Sequence, residues 1–118
     1  MDIRRVVPNI PSRDMEKSKL FYGEFLGMKL AMDMEWILTF ASSSNPAAQI
    51  SIVKSDSTTV DTPGITISIE VSDVEELFKK AVSMNYKIAY PVTTESWGVR
   101  RFFIEDPNGV TVNLMQHI

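Results

Sequence analysis

The chain has 118 residues, 44% hydrophobic and 23% charged, a composition typical of one globular domain. Its formal net charge of −3 and its paired rather than clustered arginines argue against a nucleic-acid partner. Without cysteine it has no disulfides or thiolate ligands, and because it lacks a membrane-length apolar run and a signal-peptide apolar region we expect a cytoplasmic protein.

The first half of the chain predicts one strand, one helix and three further strands. Residues 3–10 favour the first strand, and a helix follows, with Ser12 or Asp14 as its N-cap and Gly27 at its C-terminal end. Its apolar face is predicted from residues at helical spacing: Met15, Leu20 or Phe21, Phe25 and Leu26. Further strands are predicted over residues 28–34, 36–42 and 49–54.

A polar segment, residues 55–64, is predicted to link this module (about 1–56) to a second module (about 64–118). Residues 65–71 alternate strictly and predict a strand. Ser72 with Glu75 is the pattern of a capping box, and Asn85 is a suitable stop for the helix that follows. The apolar stripe of that helix is predicted to contain Val74, Leu77, Phe78, Ala81 and Val82.

The C-terminal segment predicts a β-hairpin preceded by a short strand over residues 87–90. Two runs rich in β-branched and apolar side chains, residues 99–104 and 110–115, flank the Asp-Pro-Asn-Gly turn of residues 106–109. Trp97 precedes Gly98, a residue without a side chain that lets a backbone or a ligand approach closely.

The two halves therefore repeat the same order of elements. The helix-start acids Asp14 and Asp73 lie half the chain length apart. Because each half has too little core of its own, a weak internal repeat predicts two modules that bury their sheets against each other. The predicted fold class is therefore α+β, with two βαβββ modules whose curved mixed sheets should enclose a concave space.

These segments resemble the vicinal oxygen chelate superfamily, which includes glyoxalase I, extradiol dioxygenases and bleomycin-resistance proteins. The resemblance rests on residues 7–22 with Leu26-Gly27, on Trp97-Gly98-Val-Arg100, and on the turn at residues 106–109. It implies a single glyoxalase/bleomycin-resistance-like domain over residues 1–118, and a homodimer. The start of the first strand and the Trp-Gly-x-Arg segment look most like the bleomycin-resistance branch.

The chain departs from the superfamily at its metal positions. In register, the four metal-ligand positions of the family carry Val7, Ser51, Thr66 and Asn113. None is an imidazole or a carboxylate, and a shift by one strand position offers only Asn9 or Gln49. We therefore expect no metal and no cofactor.

The resemblance also implies that Trp97 borders a ligand groove. The predicted ligand-binding residues are Trp97, Arg100, Phe102, Trp36, Met115, Asn113 and Ser68. Aromatic and methionine side chains also fill cores, so each of these has a structural alternative, and Arg100 could instead pair with a neighbouring acid. No residue is predicted to be catalytic, although Glu70 could act as a base. His117, the single histidine, is interpreted as a solvated tail residue.

The sequence favours a metal-free binder that sequesters a small, flat, aromatic or antibiotic-like molecule. The alternative is an enzyme of the same superfamily, a lyase, isomerase or dioxygenase-like protein that uses non-standard residues such as Glu70. A third hypothesis is a subunit-interaction module whose cavity has lost its function.

Overall fold

A computed structural model describes residues 1–55 and 65–118 of the chain. They form two units, Met1–Asp61 and Thr62–Ile118, each with one four-stranded mixed sheet. The predicted α+β class with two βαβββ modules is confirmed, and the predicted linker lies outside the described residues except for Ser55. The elements are β1 (Asn9–Ser12), α1 (Met15–Lys19), a π-helical segment (Leu20–Phe25), β2 (Lys29–Asp33), β3 (Ile37–Ala41), β4 (Gln49–Lys54), β5 (Thr66–Glu70), α2 (Val74–Ser83), β6 (Ile88–Thr94), β7 (Val99–Glu105) and β8 (Thr111–His117).

The sheet of the first unit has the order β1-β4-β3-β2, with β1 parallel to β4 and the other pairs antiparallel. The prediction that residues 3–10 form the first strand is wrong, because β1 begins only at Asn9. The ladder starts where Asn9 lies opposite Ser51. Pro8 accepts a bond from Ser51 N but has no N–H to donate, so it ends the pairing.

The helix of the first unit begins at the predicted cap, where Asp14 accepts a hydrogen bond from Lys17 N at 3.0 Å. It continues as the π-helical segment, in which Leu26 N donates to Phe21 O across five residues. Gly27 then adopts a left-handed φ of +72° and ends it as predicted. Leu20 is exposed, so the buried face of this helix consists of Ser18, Phe21, Tyr22 and Phe25.

The second unit repeats the topology with the strand order β5-β8-β7-β6. The predicted capping box is wrong: Asp73, not Ser72, is the N-cap and accepts from Glu76 N at 3.1 Å. The helix ends at Ser83 with Met84 as its C-cap, and the predicted stop residue Asn85 follows with a left-handed φ of +59°. The final bonds form a Schellman motif, with Tyr86 N donating to Ala81 O.

The predicted hairpin joins β7 to β8. The buried carboxylate of Asp106 accepts from the backbone N–H groups of Asn108 and Val110, each at 2.8 Å. Gly109 adopts a φ of +86°, which fits its left-handed position in the turn. β6 is longer than the predicted strand and contains Pro91, which the sheet tolerates because β6 is an edge strand with irregular pairing.

The helix α2 covers one face of the second sheet. The Phe78 ring meets the Phe102 ring edge-on with centroids 5.2 Å apart, and Val74 N donates to Gln116 Oε1. Val82, predicted to lie in the apolar stripe, is exposed. Because side chains alternate along a strand, the residues between the helix-facing ones point to the opposite face of this sheet.

Candidate functional site

We call the side of the second sheet that points away from α2 the open face. Phe102 contacts α2, so its neighbours Arg101 and Phe103 lie on the open face. The strand register places two rows of side chains across this face. The first row is Tyr90, Phe103, Asn113 and Ser68, and the second is Thr93, Arg101, Met115 and Glu70.

The centre of the open face is an arginine surrounded by aromatic rings. Arg101 Cζ lies 4.8 Å from the ring centroid of Phe103, 5.2 Å from that of Trp97 and 5.7 Å from that of Tyr90. Glu95 Oε1 lies 3.7 Å from Arg101 Nε and accepts a 2.6 Å hydrogen bond from Tyr90 Oη. We call these five residues the Arg101 cluster. The three rings and the Glu95 carboxylate hold the Arg101 guanidinium by cation–π attraction and one ion pair.

Trp97 lies on the turn between β6 and β7 with 63% of its surface exposed. The turn is closed by a backbone hydrogen bond from Glu95 N to Val99 O, and Gly98 adopts a φ of +88°. The Trp97 ring is therefore not part of the core, and it is held from one side by Arg101.

Two buried polar atoms of the open face have no hydrogen-bond partner among the described residues: Arg101 Nε and Asn113 Oδ1. The other atom of the Asn113 amide, Nδ2, donates to Ser68 Oγ at 3.1 Å. Both atoms are shielded from solvent, so neither is offered to a ligand on the surface of this face.

Two predicted ligand-binding residues do not lie on the open face. Arg100 points to the helix side, where its guanidinium pairs with Glu75 of α2 and donates to Thr94 Oγ1 at 2.7 Å. Phe102 is fully buried against Phe78. Arg101, which the sequence analysis did not select, contacts Trp97 instead.

The open face also brings Glu70 and His117 together. Glu70 Oε2 lies 2.8 Å from His117 Nδ1, and both side chains are 64% exposed. His117 is the last residue of β8 and is exposed to solvent, as predicted, and Glu70 is its partner. A carboxylate–imidazole pair can orient the ring and move protons.

The residues predicted to stand at the metal-ligand positions of the superfamily are not good metal ligands. Val7 precedes β1, and Ser51 is buried with its hydroxyl 2.8 Å from that of Thr39. Thr66 and Asn113 supply only a hydroxyl and an amide. Within residues 1–55 and 65–118, no group of three or more histidine, aspartate or glutamate side chains could hold a metal ion. This donor set does not fit a divalent metal.

Trp36 belongs to the first unit and is 58% exposed at the turn between β2 and β3. Its backbone N donates to Met34 O, and Glu35 between them has a left-handed φ of +69°. Leu30 and Met32 of β2 are also exposed. The prediction that Trp36 contacts the ligand stays a prediction.

Residues 3–114 match the family model described as the Glyoxalase/Bleomycin resistance protein/Dioxygenase superfamily. The chain belongs to this superfamily. The match spans both units, as the resemblance over the full chain predicts. Among the described residues, no helix has the length and apolar character needed to cross a bilayer.

Solved structures show the same superfamily fold. A member of the glyoxalase/bleomycin resistance protein/dioxygenase superfamily from Sphaerobacter thermophilus is 22% identical, with 98% of each chain covered and a TM-score of 0.81. TioX from Micromonospora sp. ML1 is 17% identical, with 97% of this chain and 98% of that chain covered and a TM-score of 0.78. No curated protein matches the chain significantly. These similarities establish the fold alone.

Proposed function

We propose that this superfamily member is a metal-free binder that sequesters a small, flat, aromatic molecule, of which an antibiotic-like compound is one example. The observation that carries the proposal is the position of Trp97. Its ring is exposed, and Arg101 Cζ lies 5.2 Å from the ring centroid. An exposed indole beside a fixed cation offers a ligand a π-face and apolar area. Small-molecule sites are built in this way, from aromatic walls and a few polar groups.

The Arg101 cluster supports the proposal because its members restrain the arginine side chain. Three rings and Glu95 restrain the guanidinium, so binding does not have to order that side chain. Side-chain ordering costs about 0.5–1.5 kcal/mol per flexible residue, and a preformed site avoids this cost. Asn113, Ser68 and Met115 lie in the same two rows and complete the proposed ligand-binding set.

The absence of suitable metal ligands at Val7, Ser51, Thr66 and Asn113 favours binding over metal-dependent catalysis. The proposed partner is therefore a small molecule. A homodimer, a cytoplasmic location and a place in the bleomycin-resistance branch stay predictions.

Tryptophan fluorescence tests the proposal, because the chain has only two tryptophans. Trp36→Phe leaves Trp97 as the reporter, and Trp97→Phe leaves Trp36. A soluble naphthalene derivative should quench the wild type and Trp36→Phe, and it should quench Trp97→Phe much less. Quenching of Trp97→Phe alone, or of no variant by any aromatic probe, would remove the basis of the proposal.

The second candidate function is a lyase or isomerase with Glu70 as its base. The contact between Glu70 and His117 favours it, since an imidazole can orient the carboxylate and share its proton. Mass spectrometry of ligand recovered after incubation separates the two functions. A binder returns the ligand unchanged, whereas conversion that Glu70→Gln abolishes would favour the enzyme.

A further inference from the structure

One end of the open face brings Trp97 and the Glu70–His117 pair together. Ile118 N donates to Gly98 O at 3.0 Å, so the turn that contains Trp97 is bonded to the end of β8. His117, the last residue of β8, has its Nδ1 2.8 Å from Glu70 Oε2. An exposed indole and an exposed carboxylate therefore lie at the same end of one sheet face.

Met115 lies between these groups on the central strand β8. It is opposite Arg101 of β7 on one side and opposite Glu70 of β5 on the other. Because adjacent strands are about 4.8 Å apart, the backbones of Arg101 and Glu70 are separated by about 10 Å. The Trp97 ring lies beside the arginine, and the half-buried methionine offers an apolar surface from there toward the carboxylate. One small molecule can therefore contact the indole, the methionine and the carboxylate.

Two other carboxylates of the open face are paired with permanent cations. Glu95 Oε1 lies 3.7 Å from Arg101 Nε. Glu105, on the same side of β7 as Arg101, lies 3.1 Å from Lys87 Nζ. A cationic ligand therefore meets no net positive charge at the Arg101 cluster, and the charge of Glu105 is already compensated.

Glu70 differs from these two carboxylates because its partner is a histidine. His117 balances the carboxylate only when its imidazole is protonated. Both side chains are 64% exposed, so a ligand on the open face can reach the carboxylate oxygens. When the imidazole is neutral, the pair keeps a negative charge that a cation complements.

Resting on the proposed binding function, we infer that the open face selects planar aromatic molecules that contain a protonated amine. The ring of the ligand contacts Trp97 and Met115, and its ammonium group donates to the Glu70 carboxylate. The ligand therefore lies across the sheet, with its ring at the turn before β7 and its amine at β5.

Three probes with one ring system test the inference by titration calorimetry at pH 7.5 and low salt: 2-naphthylmethylamine, 2-naphthylmethanol and 2-naphthylacetate. The wild type should bind the amine about fivefold more tightly than the alcohol, as expected for an exposed ion pair, and the acetate most weakly. Glu70→Gln should bring the affinities for the amine and the alcohol within about twofold of each other and leave that for the alcohol unchanged. Glu105→Gln, which removes the same charge from the same face, should keep the preference. Should Glu70→Gln not fold, His117→Arg places a permanent cation beside the carboxylate and should also remove the preference.

The outcomes separate the inference from the proposed function. Equal binding of the amine and the alcohol, or tightest binding of the acetate, would overturn the inference while leaving an aromatic binder. A preference for the amine that survives in Glu70→Gln, or one that Glu105→Gln removes equally, would overturn it too. Binding of none of the probes would overturn the proposed function and the inference together.

Discussion

Arg101 stands over the Trp97 ring, with Cζ 5.2 Å from the ring centroid, whereas the adjacent Arg100 pairs with Glu75 on the helix side of the same sheet. One step along the strand therefore separates an arginine at the proposed ligand site from an arginine that joins β7 to α2. The pair offers a matched comparison, because the two side chains differ only in the face to which they point.

We expect Arg101→Met to weaken binding of an aromatic probe about tenfold, since it removes the cation beside Trp97. Arg100→Met should change the affinity less than twofold, because the side chain lies on the other face. Titration of both variants with the same probe measures the difference. Equal losses in the two variants would contradict the assignment of faces.

Replacing Trp97 or Phe102 by alanine should lower the free energy of unfolding by different amounts, with the larger loss at Phe102. Trp97 is exposed, so Trp97→Ala should lower the free energy of unfolding by only about 1 kcal/mol, chiefly through the lost contact with Arg101. Phe102 is fully buried against Phe78, and Phe102→Ala should cost ~3–5 kcal/mol. Urea unfolding of both variants measures the two values. A larger loss for Trp97→Ala would place its ring in the core.

The start of α2 provides a third comparison. Asp73→Ala removes the side chain that accepts from Glu76 N and should lower stability by about 1 kcal/mol. Ser72→Ala should cost less than about 0.5 kcal/mol, because Ser72 is exposed and is not the cap. The two denaturation midpoints check this, and the reverse order would restore the predicted capping box.

Most of the fold could be predicted from the sequence, because the spacing of apolar residues and the residues typical of turns and helix caps indicate the same elements. The alternation of residues 65–71, the turn at residues 106–109 and the caps Asp14 and Asn85 each specify a local structure. The misplaced first strand has a different cause. Residues 3–7 include β-branched side chains, but the ladder with β4 begins only at Asn9, because Pro8 has no N–H to continue it.

The site was harder to predict because β7 contains two doublets, Arg100-Arg101 and Phe102-Phe103. Alternation places one arginine and one phenylalanine on each face of the sheet. It cannot by itself show which arginine lies on the open face. The missing signal was the register of the hairpin. Glu105 pairs with Thr111 across the turn, which puts Asn113 opposite Phe103 and so on the face of Arg101.

We expect a homodimer, because β2 is an edge strand whose residues, including Leu30 and Met32, are all exposed. Exposed apolar edges invite pairing with another chain. Sedimentation at micromolar concentration should give about twice the chain mass of 13.3 kDa. A monomer at every concentration tested would contradict the expectation.

The central claim, binding without a metal, is tested most directly by titrating the aromatic probe into protein dialysed against a chelator and into the same protein resupplied with zinc, manganese or iron(II). The positions Ser51, Thr66 and Asn113 carry only hydroxyl and amide groups, and metal binding needs stronger ligands. We predict the same affinity in all samples and no stoichiometric metal by elemental analysis. Binding that disappears with the chelator and returns with a metal would contradict the account.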